Sequence, residues 1–318
     1  MTVLSRRRAL AGSLAVAASG LAARAAADSV PKAVHVGYQK GGFLSVSKEQ
    51  GALQRRLEGL GVAEVKWSEF QFGPPMMEAL GAGAIDFGEV GDMPPIFAQA
   101  AGQRFVYAAR MPGSQHAMLV PEGSSLRAVA EVKGKKVAVA RGSSAHNVTV
   151  RLLEKAGLTF ADIMPAYMPP ADASAAFSRG SVDAWVVWDP YFALAERRQK
   201  ARAIATSMDL PESSSFYVAN RDFATRHPRA LVAVIEEVTK VTQWAAQNRD
   251  KFAESISAAI GIELDVEKVA IARAKLGVGP VTADVIAQQQ ATADAFNKLG
   301  LVPKKISVRD AVWLPPGD

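Results

Sequence analysis

Apolar and polar positions along the chain repeat a rhythm of short strand, glycine- or proline-rich turn and amphipathic helix. Val34 to Tyr38 reads as a strand ending in the turn Lys40-Gly41-Gly42, and helical periodicity follows from Ser45 to Leu57. Glu64 to Phe70 alternates as a second strand, after which Gly73-Pro74-Pro75 places proline in the first turn of a helix over Met76 to Leu80. Ile85 to Val90 is a third strand, followed by Gly91-Asp92-Met93-Pro94-Pro95 and a helix through Ala100. The apolar stretch His116 to Pro121 is expected to cross to a second lobe. There, Val137 to Ala140 is a strand, Arg141-Gly142-Ser143-Ser144 a turn, and a helix runs to Ala156. Ala166 to Met168 and Val182 to Trp188 are further strands, and Phe216 to Ala219 is expected to cross back. From Arg221 onward the pattern is largely helical and can pack back on the first lobe. Strand, turn and helix in alternation predict a doubly wound α/β layer with mostly parallel strands.

The first 27 residues break this rhythm. Arg6, Arg7 and Arg8 lead into a mildly apolar run from Ala9 to Ala23, and Ala25, Ala26 and Ala27 precede Asp28. This is the layout of an export signal with a small-residue cleavage site, and Ser5-Arg6-Arg7-Arg8-Ala9-Leu10 fits the twin-arginine pattern. The run is shorter than the roughly 20 apolar residues that span a bilayer. The expected organisation is a signal over 1–27, a first lobe from 28–117 and 220–318, and a second lobe over 118–219, with a periplasmic location.

Charge changes once the signal is set apart. The whole chain carries a net charge of +6, but Arg6, Arg7, Arg8 and Arg24 lie in the signal, which has no acidic residue, so the remainder carries +2. That leaves no global field to gather nucleic acid or an anionic membrane. The chain has no cysteine, which excludes thiolate nucleophiles, cysteine-ligated zinc and iron–sulfur clusters and leaves packing alone to hold an exported fold. Its four histidines, His35, His116, His146 and His227, form no i, i+4 pair, so no metal site is expected. There is neither a G-x-S-x-G elbow nor a P-loop, so no catalytic residue is assigned.

Candidate chemistry lies at the turns. In open α/β sheets ligands bind beyond the carboxyl ends of the strands. Gly41-Gly42, Gly91-Asp92-Met93-Pro94 and Gly142-Ser143-Ser144 each put unpaired backbone N–H groups and the positive end of a helix dipole there. If they converge, they form an anion pocket that needs no cationic side chain. Gln39 would add an amide, and Ser143, Ser144, His146 and Asn147 further donors. Read by turn chemistry alone, these are better explained as ordinary strand-to-helix turns with Ser144 or Asp92 as N-cap. Trp188, at the end of its strand, either covers an apolar part of a ligand or packs, whereas Trp185 faces the core. Asp189 before Pro190 fits the N-cap of a helix over Tyr191 to Arg198.

Seven collinear segments carry a resemblance. They are Val36-Gly37-Tyr38-Gln39-Lys40-Gly41; Glu78-Ala79-Leu80 with Ile85-Asp86-Phe87-Gly88; Val90-Gly91-Asp92-Met93-Pro94-Pro95-Ile96-Phe97-Ala98-Gln99-Ala100; Lys133-Gly134-Lys135-Lys136-Val137-Ala138; Gly142-Ser143-Ser144-Ala145-His146; Tyr167-Met168-Pro169-Pro170-Ala171-Asp172-Ala173; and Gly180-Ser181-Val182-Asp183-Ala184-Trp185-Val186-Val187-Trp188-Asp189-Pro190. Together they resemble the aliphatic sulfonate-binding proteins of ABC importers, within the sulfonate, nitrate and taurine substrate-binding family. The resemblance implies a type II periplasmic binding protein fold, two doubly wound α/β lobes joined by two crossing strands. It implies a monomer without cofactor that clamps an organosulfonate and delivers it to an ABC permease in the inner membrane for sulfur acquisition.

Carried over by motif, the ligand contacts would be Gln39, Gly91, Asp92, Met93, Ser143, Ser144, His146, Trp188 and Asp189. The family more often has Thr where this chain has Met93, so a hydroxyl donor is exchanged for a flexible apolar contact that would suit a bulkier tail. Asp92 is expected to turn toward backbone N–H groups or to meet an ammonium group on a ligand such as taurine. Two alternatives stand beside this reading. One keeps the fold and binds another small anion or molecule, such as a sulfate ester, nitrate or a pyrimidine precursor. The other is an enzyme of the same superfamily, against which the missing cysteine and the export signal both argue.

Overall fold

In the computed structural model, which describes residues 29–39 and 41–315, β1 (Ala33–Gln39) is followed by α1 (Phe43–Gln50), α2 (Ala52–Glu58), β2 (Glu64–Phe70), α3 (Gly73–Gly81), β3 (Phe87–Val90), α4 (Met93–Ala100) and β4 (Phe105–Pro112). A second series runs β5 (His116–Val120), β6 (Lys136–Val139), α5 (Ser144–Lys155), β7 (Met164–Tyr167), α6 (Pro170–Ser178), β8 (Ala184–Trp188), α7 (Tyr191–Gln199) and β9 (Arg202–Thr206). β10 (Ser214–Asn220) leads into the helical tail, α8 (Arg221–Arg226), α9 (Pro228–Gln247), α10 (Arg249–Ile260), α11 (Leu264–Arg273) and α12 (Ala283–Lys298). The expected signal over 1–27 lies outside the described residues.

Among the described residues the strands form two five-stranded sheets of equivalent order, β2-β1-β3-β10-β4 and β7-β6-β8-β5-β9. The pairings of β1 with β2 and β3, and of β6 with β7 and β8, are parallel. β10 runs antiparallel to both its neighbours, and so does β5. The result is the mixed α/β architecture of two doubly wound sheets that the strand–turn–helix rhythm implied. The stretches expected to cross between lobes instead lie inside single sheets, β5 in the second and β10 in the first. The chain passes between the sheets through 113–115 and 207–213, and the Gly113 N–H donates to Ser213 O at 2.9 Å where the two passages run side by side.

Helices cover both faces of each sheet, as parallel strands require. On one face of the first sheet Leu44, Leu53 and Leu57 pack with Leu231, Val234 and Val238 of α9 around Val34, Val36 and Phe87. On the other, Met76, Leu80, Met93 and Ile96 meet Phe216 and Val218 together with Ala293 and Phe296 of α12. In the second sheet α5 closes one face through Val148, Leu152 and Leu153, and Phe177 and Phe192 close the other against Trp185. The tail does more than cap the first sheet. Val266 and Ala270 of α11 pack against Ala193 of α7, so one helix of the tail touches the second lobe.

Three local features depart from the pattern, one of them β9, whose five residues are all half-buried and so show no alternation between a buried and an exposed face. The helix expected over Ser45 to Leu57 is interrupted at Gly51, whose φ of 63° is a left-handed conformation that only glycine adopts readily. β4 went unread because it is buried along nearly its whole length and shows no apolar–polar alternation.

Candidate functional site

The carboxyl ends of β1, β3 and β8 and the start of α5 face a cleft of about 180 Å³ between the two sheets, closed on its far side by α10, α11 and residues 274–276. Six of the nine residues expected at a site line it: Gln39, Gly91, Ser143, Ser144, Trp188 and Asp189. The Gln39 side chain donates from Nε2 to Glu89 O at 2.6 Å, fixing the end of β1 to β3. Ser143 donates its hydroxyl to Ala140 O at 2.7 Å, which shapes the turn into α5. The first N–H groups of α5, those of Ser144 and Ala145, precede any intrahelical acceptor and are available at the helix's positive end.

Ser144 is held by a histidine that the sequence pattern did not connect with it. His116 Nε2 lies 2.9 Å from Ser144 Oγ, and His116 Nδ1 lies 2.8 Å from Ser114 O. A carbonyl only accepts, so Nδ1 carries the hydrogen and Nε2 accepts from the serine hydroxyl. Burial holds the imidazole down to about 4, and it is neutral at neutral pH. The serine oxygen therefore turns its lone pairs toward the cleft, leaving the backbone N–H groups as the donors for a bound anion. Trp188 leans against His116 with ring centroids 6.1 Å apart, partly exposed at the cleft wall.

The lobes touch closely beside these turns. A β-carbon added to Gly91 would stand 2.8 Å from Ser144 Oγ and 2.9 Å from Ser144 Cβ. The N-cap of α7 is Pro190 rather than the expected Asp189, which stands one residue earlier, accepts the Ala193 N–H at 3.0 Å and lies 3.6 Å from Arg273 of α11. Arg273 also pairs with Glu196, and Arg198 pairs with Glu263 and Asp265, so charged contacts join α7 to the tail on the far side of the cleft.

Asp92, Met93 and His146 are placed elsewhere. Asp92 is buried behind the turn, where Asn147 Nδ2 donates to its Oδ2 at 2.5 Å and Gln289 Nε2 donates to its carbonyl at 2.6 Å. Its carboxyl is pushed up to about 6 by burial, against the pull of Asn147 and Arg151. It serves a hydrogen bond between lobes, with no reach into the cleft. Met93 is wholly buried in the core beneath the first sheet, so it adds no apolar surface to the cleft. His146 lies among Phe160, Tyr167 and Phe296, with Nδ1 accepting the Gly142 N–H at 3.3 Å. Burial, aided by Arg141, lowers it to about 4. All three follow a turn whose helix docks with that side inward, which the local sequence does not reveal.

Other lining residues were not anticipated. Phe43, Phe252, Ile271 and Leu276 supply apolar walls, while Glu89 and Glu267 bring buried carboxyls, each with an Oε1 that has no hydrogen-bond partner. Burial raises Glu267 to about 7, with the charge of Asp189 adding to the rise, and raises Glu89 to about 8. Among the described lining residues the only lysine or arginine is Lys275, largely exposed and 3.4 Å from Glu212. No local motif marks the contributions of α10 and α11, because they reach the cleft only through folding of the tail. Among the described residues no group of three or more His, Cys, Asp or Glu is arranged to hold a metal ion.

Comparison with known proteins places this architecture. Residues 30–261 match the model of the NMT1-like family. The chain is 40% identical to a putative aliphatic sulfonates-binding protein of Escherichia coli strain K12, over 96% of this chain and 95% of that protein. It is 32% identical to a putative aliphatic sulfonates-binding protein of Bacillus subtilis strain 168, over 88% of this chain and 86% of the relative. Among solved structures it is similar to the alkanesulfonate-binding protein from Xanthomonas axonopodis pv. citri bound to MOPS. The TM-score there is 0.86 at 37% identity, covering 90% of this chain and 99% of that one.

Proposed function

The chain belongs to the NMT1-like family, and we propose that it is a periplasmic substrate-binding protein that captures organosulfonates between its lobes and delivers them to an ABC permease in the inner membrane. The observation that carries the reading is the meeting of the Gly91 turn and the N-terminus of α5 in one cleft, with apolar side chains lining the opposite wall. A sulfonate stays ionised throughout the physiological range, so its site needs hydrogen-bond donors and no base. Backbone N–H groups at a helix start meet that need, and Phe43, Phe252, Ile271 and Leu276 offer burial for an alkyl tail at about 0.8 kcal/mol per methylene. Gln39, Gly91, Ser143, Ser144, Trp188 and Asp189 form the ligand side of the cleft, whereas Asp92, Met93 and His146 hold the lobes and their cores.

The signal expected over 1–27 supports export, and no helix among the described residues is long and apolar enough to cross a membrane. Binding rather than turnover is supported by the relatives' description as binding proteins and by the lack of any cysteine. A thermal-shift panel of alkanesulfonates, aromatic sulfonates, taurine, sulfate esters and nitrate tests the reading. A true ligand at 100 times its dissociation constant adds about 2.7 kcal/mol, expected as a rise of roughly 5–10 °C. Mass spectrometry should recover that ligand unchanged. A panel in which a sulfate ester or nitrate shifts the transition and no sulfonate does would replace the sulfonate by that anion.

A further inference from the structure

Helix α11 lies between the lobes and turns a different face to each. Toward the first lobe, Ile271 packs with Phe252 and Ile256 of α10, Val46 of α1 and Val241 of α9, and Arg249 Nη1 donates to Ala274 O at 3.1 Å. Toward the second lobe its buried apolar contact is small, Val266 and Ala270 against Ala193 of α7. Arg273 follows Val266 and Ala270 by seven and three residues and so continues that second face. Its guanidinium carbon stands 4.0 Å from the centre of the Phe192 ring, its Nη2 pairs with Glu196, and its Nη1 lies 3.6 Å from Asp189 Oδ1. This last pairing is incomplete. Arg273 Nη1 and Asp189 Oδ2 are both buried without a hydrogen-bond partner among the described residues, and 3.6 Å is beyond hydrogen-bonding reach. Asp189, Ala270 and Ile271 line the cleft, whereas Arg273 and Glu196 do not.

We propose that Arg273 is the closing latch of this protein, a positioning residue whose bonds to Asp189 and Glu196 are completed as the lobes close over a ligand and parted as they open. Affinity then depends on a side chain that the ligand does not touch. The inference rests on capture between the lobes, as proposed above, and names the seam along which the cleft opens. Magnitude places the seam at α7. When the lobes separate, α11 must leave one of them, and its larger apolar burial is on the first lobe. The second-lobe side is a small apolar patch ringed by charges, which water can solvate on opening. Arg198 extends the same seam through Glu263 at 3.2 Å and Asp265 at 2.5 Å, but these three side chains are more than a third exposed and contribute less. A pair of buried, unmatched polar groups costs free energy until it is joined. Joining Arg273 to Asp189 therefore favours closure, and raising the closed fraction raises the apparent affinity.

Isothermal titration with 1-butanesulfonate in phosphate buffer, with small-angle X-ray scattering of the free and saturated protein, tests the latch. A contact kept unchanged in both states contributes to stability and leaves affinity alone. Arg273→Met should therefore bind about tenfold more weakly than the native protein and Glu196→Gln about threefold. The double variant should bind no more weakly than Arg273→Met, since both changes break one link. Ligand-free Arg273→Met should have a larger radius of gyration than the ligand-free native protein, and saturating ligand should bring both to one value. Native affinity in Arg273→Met with a lowered melting temperature would overturn the proposal, showing a bond that does not change on closing. So would weaker binding with unchanged scattering, the mark of a local distortion of the cleft wall. If Arg273→Met does not fold, Glu196→Gln carries the same two readouts. Failure of the native protein to bind butanesulfonate would remove the sulfonate reading alone, with the ligand-free scattering comparison still deciding this inference.

Discussion

Raising the pH from about 5.5 to about 8.5 should lower the melting temperature of the ligand-free protein by on the order of 5–10 °C. Four buried carboxyls set this direction: Asp92 and Asp189 near 6, Glu267 near 7 and Glu89 near 8, each raised first of all by burial. In the unfolded chain they ionise near pH 4. Between that value and their folded values the native state holds protons that the unfolded chain has released, so stability falls as the pH rises through the window. His116 and His146 act oppositely. Held near 4 by burial, they contribute stability that is complete above their unfolded value of about 6.5 and is lost as the pH falls below it. They reduce the gain on the acid side and leave the slope above about pH 6.5 to the carboxyls.

The combined effect is about 2–4 kcal/mol across the range, at roughly 2–4 °C per kcal/mol for a chain of this size. Glu267→Gln removes one ionisation and should raise the melting temperature at pH 8.5 by about twice as much as at pH 5.5. Differential scanning calorimetry that finds the transition constant or rising with pH would discard buried carboxyls as the source of alkaline instability.

Gly91→Ala is expected to weaken sulfonate binding about tenfold to a hundredfold while the ligand-free protein keeps its fold. The new methyl would stand 2.8 Å from Ser144 Oγ and 2.9 Å from Ser144 Cβ, nearer than a β-carbon approaches other atoms. Overpacking of this kind costs about 1–3 kcal/mol, and each 1.4 kcal/mol is a factor of about ten in affinity. The free protein can avoid the contact by letting the lobes part, so the cost appears when they close over a ligand. Gly91→Ala combined with Ser144→Gly removes both opposing atoms and should recover part of the affinity. Native affinity in the single variant, measured by titration calorimetry, would show that the bound state does not bring Gly91 against Ser144.

The strand–turn–helix rhythm announced the sheets well because its signals are local. β2 covers the residues where alternation begins and ends, and proline opens α3 and α4 where its fixed φ suits the first helical turn. The gaps share one cause. β4 is buried on both faces and so lacks alternation, and the crossings at 113–115 and 207–213 carry no periodic signal. At the cleft, Gln39, Gly91, Ser143, Ser144, Trp188 and Asp189 were legible because a strand end and its turn place them. Asp92, Met93 and His146 sit one or two positions further on, and there the rotation of a docked helix decides whether a side chain meets ligand or core.

From residue order alone follow the doubly wound α/β layers, the turns that present helix N-termini and the absence of thiol chemistry. Each depends on neighbours a few positions apart. Tertiary structure alone decided that Glu89 lies buried over Gly42, that His116 orients Ser144, and that α10 and α11 wall the cleft. These contacts join residues from 28 to more than 150 positions apart. The proton affinity of a carboxyl and the direction of a hydroxyl depend on what removes water from around them. In this fold much of that comes from a tail that must first pack across both lobes.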